Sequence, residues 1–273
     1  VSRDRQTRVI CVNVKHFKGA KARVDRLVDY LQITDADVIG VLEVTGSKVY
    51  PALAARMRSH TWVQSDHPAD TFKGGRESQK ILIGVRKTHG SFVSVLSQFR
   101  TYNPYLRPGV FVTVDTPADQ QLNFLFIHNK SGGTADGLGT RQKQFNSLLK
   151  LAKKVPNFVV LGDYNTMGMD YPYVPDVEGH HELRWLDGRL KSRKMHRLSK
   201  TVAWTWNPNP YKSTYPRSDL DHVIASKSLD FSTFKGGAMV RVDGPDEHST
   251  KEDIQAYREH FSDHSALYME INA

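Results

Sequence analysis

Apolar residues fall along this chain in short runs, and most of the runs are closed by a residue that carries chemistry. Phe158, Val159, Val160 and Leu161 end in Gly162, Asp163, Tyr164 and Asn165. Four consecutive apolar residues closed by glycine predict a strand buried on both faces, and open α/β sheets gather their polar groups just beyond such strand ends. Val9, Ile10, Cys11, Val12 and Val14 form a second run around Asn13, and residues 38–42 form a third that ends at Glu43. Phe124, Leu125, Phe126 and Ile127 lead to His128 and Asn129, while Asp219, Leu220, Asp221 and His222 lead into Val223, Ile224 and Ala225. Near the end of the chain Leu267, Met269 and Ile271 alternate, which predicts a strand with one buried face, and Ser262, Asp263, His264 and Ser265 stand at its mouth. Further strands are expected around Trp62 and Val63, at 81–85, at 110–114 and, from the alternation of Ala203, Trp204, Thr205 and Trp206, at 203–206. Helical spacing covers about residues 20–32 (Val24, Leu27, Val28, Leu31), 49–58 and 137–154 (Phe145, Leu148, Leu149, Ala152). Residues 66–76, 167–177 and 243–259 show no period and are expected as loops.

The closing residues carry acid, base and ligand chemistry. On extended chain Asp163 and Asn165 point the same way and offer an acceptor and an amide to a phosphate or a water. The same tetrad also suits a turn, because Asp and Asn bond readily to their own backbone. Burying Asn13 and Glu43 at the ends of apolar strands is costly unless something pairs with them, and a divalent cation would serve. A carboxylate beside an imidazole, as in Asp263 and His264, is a common way to hold a general base. Six strand ends tipped in this way make a pattern that independent turns would seldom produce.

In this order, Asn13, Glu43, His128, Gly162-Asp163-x-Asn165, Asp221 and Ser262-Asp263-His264 resemble the signature of the endonuclease/exonuclease/phosphatase superfamily, which includes DNase I, exonuclease III, apurinic endonucleases and bacterial sphingomyelinases. The resemblance runs from Val9 to Ile271. It implies a single catalytic domain over 1–273 with a four-layered α/β sandwich, two packed central sheets flanked by helices. It implies a divalent-metal-dependent phosphodiesterase that hydrolyses nucleic acid, in the first place a DNase I-like endonuclease. Glu43, Asn13 and Asp263 would hold Mg²⁺ or Mn²⁺, since oxygen ligands and no thiols are offered, and an additional Ca²⁺ is compatible with the same ligand types. Arg107, in Arg107-Pro108-Gly109-Val110, matches the place of an arginine that binds the scissile phosphate. Asp163 and Asn165 would position phosphate and water. His264, oriented by Asp221 or Asp263, would take the water's proton, and His128 would protonate the leaving oxygen. Glu77 is the candidate for a further acidic residue that orients a catalytic histidine.

The alternative within the resemblance is a sphingomyelinase-like phospholipid phosphodiesterase, which would share every catalytic residue. It calls for an exposed apolar hairpin, whereas the candidate loops here are basic and tyrosine-rich. A binding module without activity is disfavoured because no ligand position has been lost. Ser218-Asp219-Leu220-Asp221-His222 does not resemble the inositol-phosphatase version of the fifth motif.

Composition narrows the partner. The chain has 273 residues and a net charge of +9, with a pI near 9.5. This favours a polyanion, nucleic acid (DNA ahead of RNA) before an anionic membrane surface. Lys15, Lys18, Lys21 and Arg23 follow the first run, Lys73 and Arg76 lie in the 66–76 loop, and Arg184, Arg189, Lys191, Arg193, Lys194 and Arg197 make the most basic stretch. Trp204, Trp206, Tyr211, Lys212, Tyr215 and Arg217 interleave aromatics with cations, which suits a phosphodiester backbone, although alternation should bury one of the tryptophans. Cys11 is the single cysteine, so no intrachain disulfide forms and the thiol is expected in the core. No run approaches the roughly 18 apolar residues of a membrane span. A monomer is expected. The chain opens at Val1 rather than Met, which points either to a removed signal peptide or to a boundary cut within a longer chain, and a secreted or periplasmic location is expected slightly ahead of a cytoplasmic one. Asn129-Lys130-Ser131 matches a glycosylation sequon, but a glycan there would block the pocket.

Overall fold

The structure, a computed structural model, describes residues 6–65, 79–100, 107–169 and 177–272. Glu77, Lys73, Arg76 and the loop 66–76 lie outside the described residues. In chain order the elements are β1 (Gln6–Phe17), α1 (Lys21–Thr34), β2 (Val38–Val44), α2 (Val49–Arg56), β3 (His60–Gln64), β4 (Lys80–Arg86), β5 (Gly90–Leu96), β6 (Gly109–Asp115) and β7 (Gln121–His128). They continue with α3 (Ala135–Leu151), β8 (Phe158–Asp163), α4 (Gly179–Leu190), β9 (Met195–Arg197), β10 (Asp221–Ser226), β11 (Asp230–Phe231), β12 (Arg241–Asp243), α5 (Lys251–His260) and β13 (Ala266–Asn272).

The strands form two sheets. One runs β11-β13-β1-β2-β4-β3, with β12 also on β13, and the other runs β5-β6-β7-β8-β10-β9. Each has one parallel pair at its centre, β1 with β2 and β7 with β8, among antiparallel neighbours. The expected four layers are present, and they explain why the strands read as continuous apolar runs. In β1, Val9 and Cys11 enter the core between the sheets with Phe124, Phe126, Val159 and Leu161, whereas Ile10 and Val12 pack against Val24, Leu27, Val28 and Leu31 of α1. On the other side Leu125 and Val160 meet Phe145 and Leu148 of α3 and Leu186 and Leu190 of α4. Strands buried on both faces lose the period of two that a half-exposed strand shows. The sheets approach so closely at Gly40 that a Cβ there would lie 2.2 Å from the Phe126 ring.

The structure corrects several sequence expectations. β13 is buried on both faces, because Ala266 and Tyr268 pack toward α1 and α2 while Leu267, Met269 and Ile271 face the other sheet. Residues 203–206 form no strand; Trp206 makes only isolated bridges to Ser218 and His264. Both tryptophans are half-buried, and the fully buried residues are the polar ones, Thr205 and Asn207. Thr205 Oγ1 accepts the N–H groups of Leu220 and Asp221, and Asn207 accepts from Arg217 and donates to Ser265, so the segment is a hydrogen-bonding brace. Within 243–259, α5 is a capped helix in which Thr250 and Asp253 bond reciprocally and only Ile254 is buried, a stripe too thin to register as a helical period. Among the described residues no helix is long and apolar enough to cross a membrane.

Candidate active site

The topology brings the chemical residues to one edge of the sandwich. β1 and β2 are parallel, so Asn13 and Glu43 lie near their C-terminal ends, and β7 and β8 are parallel, so His128 pairs directly with Asp163. β10 is antiparallel to β8, which puts Asp221 opposite Asp163 on the other side. β13 is antiparallel to β1, so His264, just before it, arrives beside Asn13. Gly162 permits the close packing of β7 on β8: it has φ +135°, and a Cβ there would sit 2.1 Å from the Ile127 carbonyl oxygen.

At the centre, Asn13 Nδ2 donates to Glu43 Oε1 at 3.0 Å and to Asp163 Oδ2 at 3.1 Å, joining carboxylates from the two sheets. Its Oδ1 accepts from the Lys15 N–H. Glu43 Oε2 takes the His16 N–H at 3.1 Å. His128 Nε2 lies 3.3 Å from Glu43 and 3.5 Å from Asp163. His264 Nδ1 lies 2.8 Å from Asp221 Oδ2, and its Nε2 points toward Asp163 at 3.9 Å. Asp221 is therefore the carboxylate that orients His264. Asp263 does not touch that ring; it pairs with Lys15 at 2.8 Å and Arg258 at 3.6 Å. Ser262 Oγ donates to the Asn13 carbonyl and accepts the His264 N–H, fixing the turn onto β1.

The tetrad at 162–165 is a turn and a wall of the site at once. Asn165 is not extended: it has φ +49°, and its N–H bonds to Asp163 Oδ1 at 2.9 Å. Its side chain donates to the Asn129 carbonyl, which also accepts from Arg107 at 2.7 Å. Arg107 is further held by Ser131 Oγ at 2.8 Å and Gln79 Oε1 at 3.2 Å, which sets the guanidinium at the rim. Asn129 is 1% exposed, so the sequon offers no acceptor for a glycan. Lys15, His16, Glu43, Arg107 and Asn165 all hold positive φ. Such backbone costs on the order of 1–3 kcal/mol per residue and clusters at functional sites.

Three site residues carried no sequence signal strong enough to single them out as part of the site. His16 and Gln79 complete a chain from Glu43 to Arg107, with the His16 ring 3.2 Å from Gln79 Nε2. Lys200, buried behind Asp221, donates to Asp219 and to the Asp221 carbonyl. Lys200 belongs to no apolar run, and His16 sits in a kink of β1 that no pattern marks.

Burial sets the charge states. Burial, the Asp221 charge and then Glu43 push the Asp163 carboxyl up to about 7. Burial opposes a charge on His264, but Asp221, through its charge and its hydrogen bond, outweighs it and pushes the imidazole up to about 10. His128 is held well below its ordinary value by burial and by the nearby Arg107, His264 and His16. Without a metal, these shifts favour an imidazolium at His264 and a neutral ring at His128.

The donor set fits a divalent cation. Glu43, His128 and Asp163 offer ligand atoms within 4.8 Å of one another, and so do Asp163, Asp221 and His264. Buried carboxylates that raise one another's proton affinity are relieved by a hard cation, and carboxylate and amide oxygens suit Mg²⁺ or Mn²⁺. Asp263 lies outside both groups, held by its two cations.

Comparison with known proteins agrees with this architecture. Among curated proteins none matches the sequence. A structure of TDP2 from D. rerio, complexed with single-strand DNA product, superposes with a TM-score of 0.68 at 15% identity, over 99% of this chain and 100% of that one. An endonuclease/exonuclease/phosphatase from Bacteroides vulgatus gives 0.65 at 12% identity, over 98% of each chain. One from Beutenbergia cavernae gives 0.66 at 19% identity, over 98% of this chain and 72% of that one. At these identities the likeness is one of fold. The family model described as Endonuclease/Exonuclease/phosphatase family matches residues 11–264, a span that holds every residue of the site from Asn13 to His264, and the chain belongs to that family.

Proposed function

We propose that the protein is a divalent-metal-dependent phosphodiesterase acting on nucleic acid, DNA first, as a DNase I-like endonuclease. The observation that carries this reading is the buried meeting of Glu43, Asn13 and Asp163 with the Asp221–His264 pair, under an arginine anchored at the rim. Family membership supports a phosphoester hydrolase. The basic charge supports a polyanionic substrate, as does single-strand DNA product bound to the D. rerio neighbour.

Glu43 and Asn13 would hold the cation, which when bound supplies positive charge to the phosphate oxygens. Arg107 adds paired donors for those oxygens at the rim, and its own bonds to Asn129, Ser131 and Gln79 restrict its motion. Asp163, with a proton affinity near neutrality, is matched to taking the proton of the attacking water. His264, already protonated and steered by Asp221, donates from Nε2 to the departing oxygen. His128 stays neutral and packs Glu43 against Asp163. Asn165 positions Asp163 through the turn they share.

The test is purified protein with Mg²⁺ or Mn²⁺ on plasmid DNA, RNA and sphingomyelin in parallel, with and without excess EDTA. Metal-dependent cleavage of DNA is expected. Sphingomyelin hydrolysis without nucleic acid cleavage, or undiminished cleavage in EDTA, would sink the proposal.

A further inference from the structure

The most basic stretch of the sequence, 184–197, takes no part in the site. α3 begins just after the His128 loop and carries 17 residues away from it, about 25 Å at 1.5 Å per residue. At its far end α3 and α4 form a cleft of about 390 Å³ lined by Asn146, Leu149, Lys150, Lys153, Arg189 and Arg193. Every ionisable group on this lining is a cation. None of the four makes an ion pair among the described residues, whereas Arg197 close by is bidentate to Asp187. Arg189 is stacked on the Trp185 ring at 4.0 Å, which fixes the guanidinium plane while the residue stays exposed. Arg193 is held from within by its bond to the Leu149 carbonyl.

Cations in the last turn of a helix offset its dipole, which accounts for Lys150 and Arg189 taken singly. It extends to Arg193, in the 3-10 turn that continues α4, but it does not account for Lys153, which lies beyond α3, or for four like charges converging on one concave surface without a carboxylate. Clefts lined by one sign of charge concentrate counter-ions of the other sign, and a planar, pre-oriented guanidinium suits phosphate.

We infer that the cleft between the C-terminal ends of α3 and α4 is a second binding site for a nucleic acid backbone, separate from the catalytic edge. It would hold the strand at a distance from the bond being cut and so lengthen its stay by two-point attachment. The inference goes beyond the proposed reaction, because the cleft contributes nothing to the chemistry.

The test is binding of a fluorescent 20-nucleotide single strand, read by anisotropy in EDTA so that no cleavage is needed. The variant is Lys150→Ala, Lys153→Ala, Arg189→Ala, all exposed positions. Each single-strand phosphate contact contributes about 0.7 to the salt slope, so the log–log slope should become shallower by about 2. The difference in affinity between wild type and variant should then narrow by roughly 16-fold between 50 and 200 mM salt. Turnover of a nitrophenyl phosphodiester with metal should be unchanged, which separates this result from failure of the proposed reaction. A control with the same charge loss elsewhere is Lys87→Ala, Lys235→Ala, Lys251→Ala, also exposed. An equal loss in the control, or an unchanged slope in the cleft variant, would overturn the inference. So would intact oligonucleotide binding with lost binding to phosphatidylserine vesicles, which would assign the cleft to a membrane surface.

Discussion

Replacing Asp221 by Asn tests whether His264 works as a proton donor. Asp221 Oδ2 sits 2.8 Å from His264 Nδ1 and is what raises this buried imidazole from 6.5 to about 10. With that charge removed, burial is opposed only by the Asp163 and Asp263 charges, so the ring's proton affinity moves down from about 10. At pH 7.5 the protonated fraction then falls, and the rate on DNA falls with it. Loss of orientation extends this toward the ~100-fold to 10,000-fold typical of a general acid or base. The assay is the pH profile of kcat/KM on two substrates, a DNA oligonucleotide and a nitrophenyl phosphodiester whose departing oxygen needs little protonation. In Asp221→Asn the alkaline limb on DNA should move down from near pH 10 toward neutral pH. The nitrophenyl substrate should rescue both Asp221→Asn and His264→Ala in large part, and Asp163→Asn hardly at all. If the good leaving group instead rescues His128→Ala and leaves His264→Ala inactive, His128 is the acid, His264 the base, and the charge states of the metal-free site do not describe the working enzyme.

Three further outcomes are expected. Glu43→Gln, which keeps the bonds of Asn13 and His16 sterically possible, should abolish both activity and the rise of Tm on adding Mg²⁺, as read by calorimetry; retention of the Mg²⁺ effect would place the ion elsewhere. Asp163 and His264 both have folded-state values above their ordinary ones, about 7 against 3.8 and about 10 against 6.5. Their stabilisation is complete below the ordinary values and is lost as pH rises through about 7 and then about 10, so metal-free Tm should fall between pH 5 and pH 9, and Mg²⁺ should raise Tm more at pH 8.5 than at 5.5; a flat profile would refute this. Gly40→Ala would drive a methyl to within 2.2 Å of the Phe126 ring between the sheets. It should cost about 1–3 kcal/mol in urea unfolding, and a neutral result would mean that the sheets separate more readily than their packing implies.

Read alone, the sequence specified the α/β class and the strands whose ends gather at the candidate site, because apolar runs interrupted by Asn13 or ended by Glu43, His128 and Asp163 cannot be placed in a core without a purpose. It also determined the family, through six short motifs in a fixed order. It could not show that β13 is buried on both faces, since Tyr268 reads as polar in an alternating pattern until α1 is laid over it. It misled at 203–206, where alternation of bulky and small residues masks a brace whose buried members, Thr205 and Asn207, are polar and satisfied by partners 10 to 58 residues away. Tertiary structure alone decided which acid serves which base. Asp263 is next to His264 in sequence, yet antiparallel pairing of β10 with β8 delivers Asp221 to the ring and leaves Asp263 to Lys15 and Arg258. It also decided the charge states, because the proton affinity of a side chain depends on burial and on charges brought near from distant strands, neither of which is a property of its place in the chain.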